Sequence, residues 1–211
     1  MAPDMDTEPR EVTKPSALRC IHCPFQNLRV RKVLTALRVP LGLVCLAVLI
    51  PFIKPEWFVA GLVVSLVGET IQVWSFAALA KQKTLAANGP YALVRNPMYI
   101  GRFLLMLGGV MLTGYWPLMV AFSIGYYLYA LNRVRREEVT LREVFGQPYE
   151  DYCATTNRFL PSLRGLRHGN LLYGRWSLLV KNHGPLNLVL TLVAWALLYW
   201  LTFIHPIAWP T

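Results

Sequence analysis

The chain has 211 residues, of which 55% are hydrophobic and only 15% charged, and it carries a net charge of +10. So few charges cannot cover a soluble domain of this length, and the apolar residues gather into blocks that a bilayer would solvate. Nucleic acid is a poor explanation of the positive charge, because the basic residues lie between apolar blocks without a recognition motif, whereas anionic lipid headgroups explain them directly.

Residues 1–32 are polar and Pro-rich, and they lack the basic start, apolar middle and cleavage site of a secretory signal. They read as a cytosolic tail ahead of one membrane-embedded domain over 33–211. Of the four cysteines, only Cys20 and Cys23 cluster, together with His22. Three ligands do not close a zinc site, so no metal is expected, and no disulfide framework is implied.

A first span is expected from about Ala36 to Ile53, closed by Lys54-Pro55-Glu56, and a second from Trp57 to Leu79. Met98 to Thr113 and Trp116 to Leu131 are shorter, with only Gly114 and Tyr115 between them. They read as a tight helical hairpin that either spans the membrane or re-enters it. The last span covers about 186–204 and carries Trp195, Tyr199 and Trp200, residues suited to the interface. The expected fold class is therefore all-α: a transmembrane bundle of about five spans, with a cytosolic helical or loop segment after the hairpin.

Loop charge sets the orientation, since Lys and Arg collect on the cytoplasmic side. With the N-terminus inside, all of the 21 basic residues except Lys54, Arg38 and Arg102 fall in cytosolic segments. An odd number of spans then leaves the C-terminus outside. There is no internal repeat and no Gly/Ser linker.

Two polar stretches abut the membrane on that cytosolic side. The first is Asn88-Gly89-Pro90-Tyr91 followed by Arg95-Asn96-Pro97-Met98-Tyr99-Ile100-Gly101. Pro97 suits a first helical turn and Asn96 its N-cap, so the stretch is either a capped, tyrosine-anchored loop or, with Arg95 at a helix N-terminus, an anion pocket. The second runs from Arg133 through Glu137-Glu138, Phe145-Gly146, Tyr149 and Tyr152 to Arg158 and Pro161. Arg133 with Glu137 and Glu138 with Arg142 are spaced to pair along one helix, which gives either a solvated face or the wall of a site close to the bilayer. Glu69 lies inside an apolar span with Gln72 three residues on. An acid at that depth costs about 3 kcal/mol on insertion scales, so it either bonds to a neighbouring helix or lines a cavity.

The ordered combination Gly89-Pro90-Tyr91, Arg95-Asn96-Pro97-Met98-Tyr99-Ile100-Gly101, a hairpin, Glu137-Glu138, Phe145-Gly146, Tyr149, Tyr152 and Pro161 resembles the isoprenylcysteine carboxyl methyltransferase family. Phospholipid N-methyltransferases share the outline, and Gly68-Glu69 through Trp74 resembles the bacterial branch. The resemblance covers about residues 60–165. It implies a membrane methyltransferase with S-adenosylmethionine as cofactor and a lipophilic acceptor that enters from the bilayer. Carried over by position, Tyr91, Arg95, Asn96, Pro97, Tyr99 and Gly101 would form one wall of the cofactor pocket, and Glu137, Glu138, Tyr149, Tyr152 and Arg158 the other. Arg95 and Glu138 are the catalytic candidates, with Glu138 the base if an amine is methylated. Glu69, Gln72 and Trp74 would meet the acceptor. Many family members have His where this chain has Asn96, and an amide cannot exchange protons near neutral pH, so no general base is expected there.

The residue types suit such a cofactor, which presents a sulfonium, a carboxylate, an ammonium and an adenosine to aromatic faces, an Arg, an acid and apolar surface. An isoprenylcysteine-type carboxylate or similar group is the expected acceptor, with a phospholipid amine as the alternative; a quinone-like or isoprenoid acid and a small thiol are also compatible. Two other classes compete: an NADPH-dependent sterol-type reductase, for which the chain is short, and a non-catalytic membrane protein. A prokaryotic inner membrane is the expected location, otherwise the endoplasmic reticulum.

Overall fold

The computed structural model describes residues 50–80, 84–162, 164 and 170–204. The N-terminal tail, nearly all of the first expected span and the Cys20, His22 and Cys23 cluster lie outside them. The described residues all belong to one compact unit, Leu49–Thr211, and their regular structure is entirely helical.

A short 3-10 turn at Pro55–Trp57 leads into α1, Phe58–Ala78. After a connection ending in a 3-10 turn at Gly89–Ala92, α2 runs from Pro97 to Met111. At 15 residues it is about 22 Å long, short of a hydrocarbon core of about 30 Å. Gly114, at φ +60, turns the chain: a Cβ there would stand 2.7 Å from the Trp57 ring, besides the strain of that backbone conformation. Beyond it α3, Trp116–Phe145, continues for 30 residues, about 45 Å, so its charged half projects past its apolar half without a break. Gly146 ends α3 and α4 follows at Gln147–Thr155; α5 is Trp176–Lys181, and α6, Gly184–Tyr199, finishes in a π-helical turn at Trp200–Ile204.

The antiparallel pair α1 and α2 is the closest packing in the unit, and the reason is compositional. A Cβ on Gly61 would stand 2.5 Å from the Gly108 carbonyl oxygen, and one on Gly68 2.5 Å from that of Gly101. The backbones therefore touch where small residues face each other, as expected of helices that associate in a lipid solvent. Ser65, between the two contacts, donates to the Leu105 carbonyl at 2.8 Å.

Helix α6 docks on α1 through an apolar end and a polar middle. Phe58, Leu112, Trp195 and Leu198 form the apolar cluster, with the Phe58 ring edge-on to Trp195 at 5.3 Å. In the middle, Asn187 Nδ2 donates to both carboxylate oxygens of Glu69, at 2.8 and 2.9 Å, and Thr191 Oγ1 donates to Oε2 at 3.1 Å. Asn182, just before α6, donates to the carbonyls of Phe76 and Leu79 and so closes the C-terminal turn of α1.

Pro55–Ala78 and Gly184–Ile204 are long and apolar enough to cross a membrane, and Pro97–Met111 is a shorter apolar helix. The outward residues agree: Val59, Val63 and Val67 on α1, Val120, Ile124 and Leu128 on α3, and Val189, Val193 and Leu197 on α6 are at least half exposed or nearly so. Such continuous apolar faces mark association with a membrane.

Candidate active site

Asn96 occupies the N-cap position of α2, but its side chain makes no capping bond; its Nδ2 instead donates to the Arg158 carbonyl at 3.3 Å. Three further bonds stitch the loop before α2 to the chain after α3. The Tyr152 hydroxyl donates to the Tyr91 carbonyl at 2.7 Å, the Arg95 N–H to the Asn157 carbonyl at 2.9 Å, and the Ser162 N–H to the Leu93 carbonyl at 2.8 Å. The two polar stretches of the sequence, about forty residues apart, thus form one surface at the charged end of α3.

Glu138 sits at its centre, 2% exposed. Arg158 grips it with two bonds, Nε to Oε1 at 2.9 Å and Nη2 to Oε2 at 2.5 Å, and Arg95 Nη1 approaches Oε1 to 3.3 Å. Burial alone would raise the Glu138 carboxyl, but the Arg158 bond and the Arg95 and Arg158 charges outweigh it and hold the group below the ordinary glutamate value of 4.5. The same bond raises the Arg158 guanidinium. Arg95 Nη1 also contacts the Cys153 thiol at 2.6 Å, while Arg95 Nε is buried without a hydrogen-bond partner. Around this cluster stand Tyr91, Tyr149 and Tyr152, whose hydroxyls burial pushes up, so they remain neutral.

A second, more exposed cluster adjoins it. Tyr99 donates to Glu137 Oε1 at 2.9 Å, and Arg133 pairs with the same oxygen at 2.9 Å. The expected pairing of Glu138 with Arg142 does not form: Arg142 reaches across the α3–α4 turn to Glu150 at 2.7 Å, because Glu138 points inward to the two stronger partners.

Of the residues singled out from sequence, the fold brings Tyr91, Arg95, Asn96, Tyr99, Glu137, Glu138, Tyr149, Tyr152 and Arg158 together. Pro97 is fully buried at the start of α2, and Gly101 faces α1 rather than this surface, where its Cβ would meet Gln72 Cγ at 2.8 Å. Glu69, Gln72 and Trp74 do not share one face. Trp74 lies about 140° around α1 from Glu69, beside Gly89, and Glu69 is bonded to α6. Sequence reasoning missed Asn187 and Thr191, although polar residues four apart on an apolar helix mark one polar face, and it missed Cys153 and Asn157, which carry no such signal.

Apolar helices with a buried, charge-paired cluster at one end have the build of a membrane-associated enzyme. The sequence model described as phospholipid methyltransferase matches residues 57–148. A probable protein-S-isoprenylcysteine O-methyltransferase of Oryza sativa subsp. indica is 32% identical over 130 residues, which cover 54% of this chain and 68% of the relative. The protein-S-isoprenylcysteine O-methyltransferase of Schizosaccharomyces pombe is 38% identical over 72 residues, 34% of this chain and 30% of the relative, and that of Homo sapiens 31% over 86 residues, 40% and 30%. No solved structure matches. The chain belongs to the protein-S-isoprenylcysteine O-methyltransferase family, and it is a methyltransferase.

Proposed function

We propose that the chain methylates the carboxylate of a lipophilic acceptor of the isoprenylcysteine type, with S-adenosylmethionine as donor. The observation that carries this reading is Glu138, held ionised between Arg95 and Arg158. A carboxyl engaged by two guanidiniums and held below its ordinary range is a poor proton acceptor near neutral pH. An amine acceptor must lose a proton; a carboxylate need not. The cluster thus favours an acceptor that needs no base over the phospholipid amine of the alternative reading.

The residues fit the donor. Arg95 keeps a buried Nε–H unpartnered, suited to an anionic group, and Glu137 lies at the more exposed edge, suited to an ammonium. Tyr91, Tyr149 and Tyr152 offer aromatic surface beside them. When bound, S-adenosylmethionine supplies a methyl carbon on a positively charged sulfur, which becomes a neutral thioether as the carboxylate oxygen takes the methyl. The protein's task is alignment and exclusion of water, and good alignment alone supplies about 7–11 kcal/mol. In this role Glu138 is a positioning residue: it fixes Arg95 and Arg158.

The same proposal places the chain in the membrane with five spans, the N-terminus and this cluster on the cytosolic side, and the C-terminus outside. The basic residues of α3 beyond Asn132, gathered at the cluster end, support that orientation.

The test uses the full chain purified in detergent. S-adenosylhomocysteine raises its melting temperature and NADPH does not; labelled methyl passes from S-adenosylmethionine to an S-prenylated cysteine with a free carboxylate and not to phosphatidylethanolamine. Stabilisation by NADPH, or methylation of the amine lipid alone, overturns the reading.

A further inference from the structure

The α1–α2 contact carries one buried polar group that neither the packing nor the Glu138 cluster uses. Gln72 is 2% exposed, yet its Nε2 has no hydrogen-bond partner. Buried donors are nearly always paired, and an unmet one signals either strain or a function. Its neighbours are committed elsewhere: Glu69, one turn earlier, is taken by Asn187 and Thr191, and the Ser65 hydroxyl by Leu105.

The register of the two helices locates this donor. Gly61 lies against Gly108 and Gly68 against Gly101, so one more turn along the antiparallel pair brings Gln72 level with Pro97. Pro97 is the first residue of α2, directly after Arg95 and Asn96. Gly101 supports the placement, because any side chain there would occupy the space of Gln72 Cγ. The unmet N–H is therefore buried at the level where the Arg95 loop enters α2.

Resting on the proposed carboxylate methylation, we infer that Gln72 is a positioning residue for the acceptor: its amide N–H donates to a carboxylate oxygen of the lipophilic substrate and orients the other oxygen for reaction. A donor at this point suits a carboxylate oxygen, which brings lone pairs. Orientation of the acceptor thus rests on a neutral amide of α1, while Arg95, Glu138 and Arg158 hold the donor.

Gln72→Met, which keeps an unbranched side chain and removes the donor, separates this role from a structural one. A hydrogen bond to a charged group is worth roughly a 10- to 100-fold change in kcat/KM, so that loss is expected with an S-prenylated cysteine as acceptor. Thermal stability is expected to hold or rise, because the variant deletes an unmet buried donor, and the stabilisation by S-adenosylhomocysteine is expected to be unchanged. Gln72→Glu sets a second carboxylate against the substrate and is expected to lose more activity than Gln72→Met. Unchanged kcat/KM in Gln72→Met, or a fall in its melting temperature, overturns the inference; Gln72→Leu replaces it if the Met variant does not accumulate. Wild type that binds S-adenosylhomocysteine but leaves the prenylated cysteine unmethylated would instead refute the proposed reaction.

Discussion

Replacing Glu138 by Gln keeps its shape and removes the charge that two guanidiniums share. The Arg95 side chain is 12% exposed and would be left as an almost buried cation, whereas that of Arg158 is 32% exposed and can turn to water. Breaking a buried pair from one side costs about 3–5 kcal/mol. The amide oxygen still accepts one bond and the share of Arg158 is discounted for its exposure, which leaves about 2–3 kcal/mol. At about 2–4 °C per kcal/mol for a chain of this size, the melting temperature should fall by roughly 4–12 °C. Thermal unfolding in detergent with and without S-adenosylhomocysteine measures both the loss and the expected weakening of donor binding. The sign of the pH dependence follows from the carboxyl's depressed value: its stabilisation is complete above the ordinary 4.5 and is lost as pH falls through the folded value. The gap between wild type and variant should therefore stay constant from about pH 5 to 8 and close only at lower pH. A variant that melts with wild type and is stabilised equally by S-adenosylhomocysteine refutes the reasoning.

Gly108→Ala drives a Cβ into the Gly61 carbonyl and Ser65, and should cost about 1–3 kcal/mol in thermal unfolding. Asn187→Leu strips Glu69 of two of its three hydrogen bonds and should cost about 1–2 kcal/mol, with the coupling to Glu69→Leu read from a double-mutant cycle; additive losses would deny the contact. Tyr152→Phe removes the bond to the Tyr91 carbonyl; about 1 kcal/mol of stability and a larger relative loss of S-adenosylhomocysteine affinity are expected, and a loss of stability alone would leave the stitch without a role in the site.

Much of the architecture was legible because lipid solvation imposes long apolar blocks whose ends are marked by Pro, Gly and charge. Trp57 to Leu79 as expected differs from α1 by a residue at each end, and the Gly114-Tyr115 turn falls where expected. Partners of single side chains were not legible. Spacing on α3 suggested Glu138 with Arg142, but at helical periodicity Glu138 and Val134 lie on one buried side, and a buried carboxylate takes the cations that other segments bring to it. Asn96 shows the same limit: its position is that of an N-cap, and its amide goes to Arg158 because the loop after α4 passes within reach.

The site was legible as two patches and not as a mechanism, since the decisive fact is one of charge balance. Read along the chain, Glu138 is an acid in the expected cofactor pocket and so a candidate base. In the fold it meets Arg95 and Arg158 together, and two cations around one carboxylate make it a poor proton acceptor, which is why the proposal gives it a scaffold's role. Under the proposed carboxylate methylation the acceptor arrives already charged for attack, and a neutral group suits its positioning, because a further fixed charge would have to be compensated within a largely apolar bundle. On that proposal the unmet amide on α1, rather than another ion pair, is the group to vary when positioning of the acceptor is to be tested.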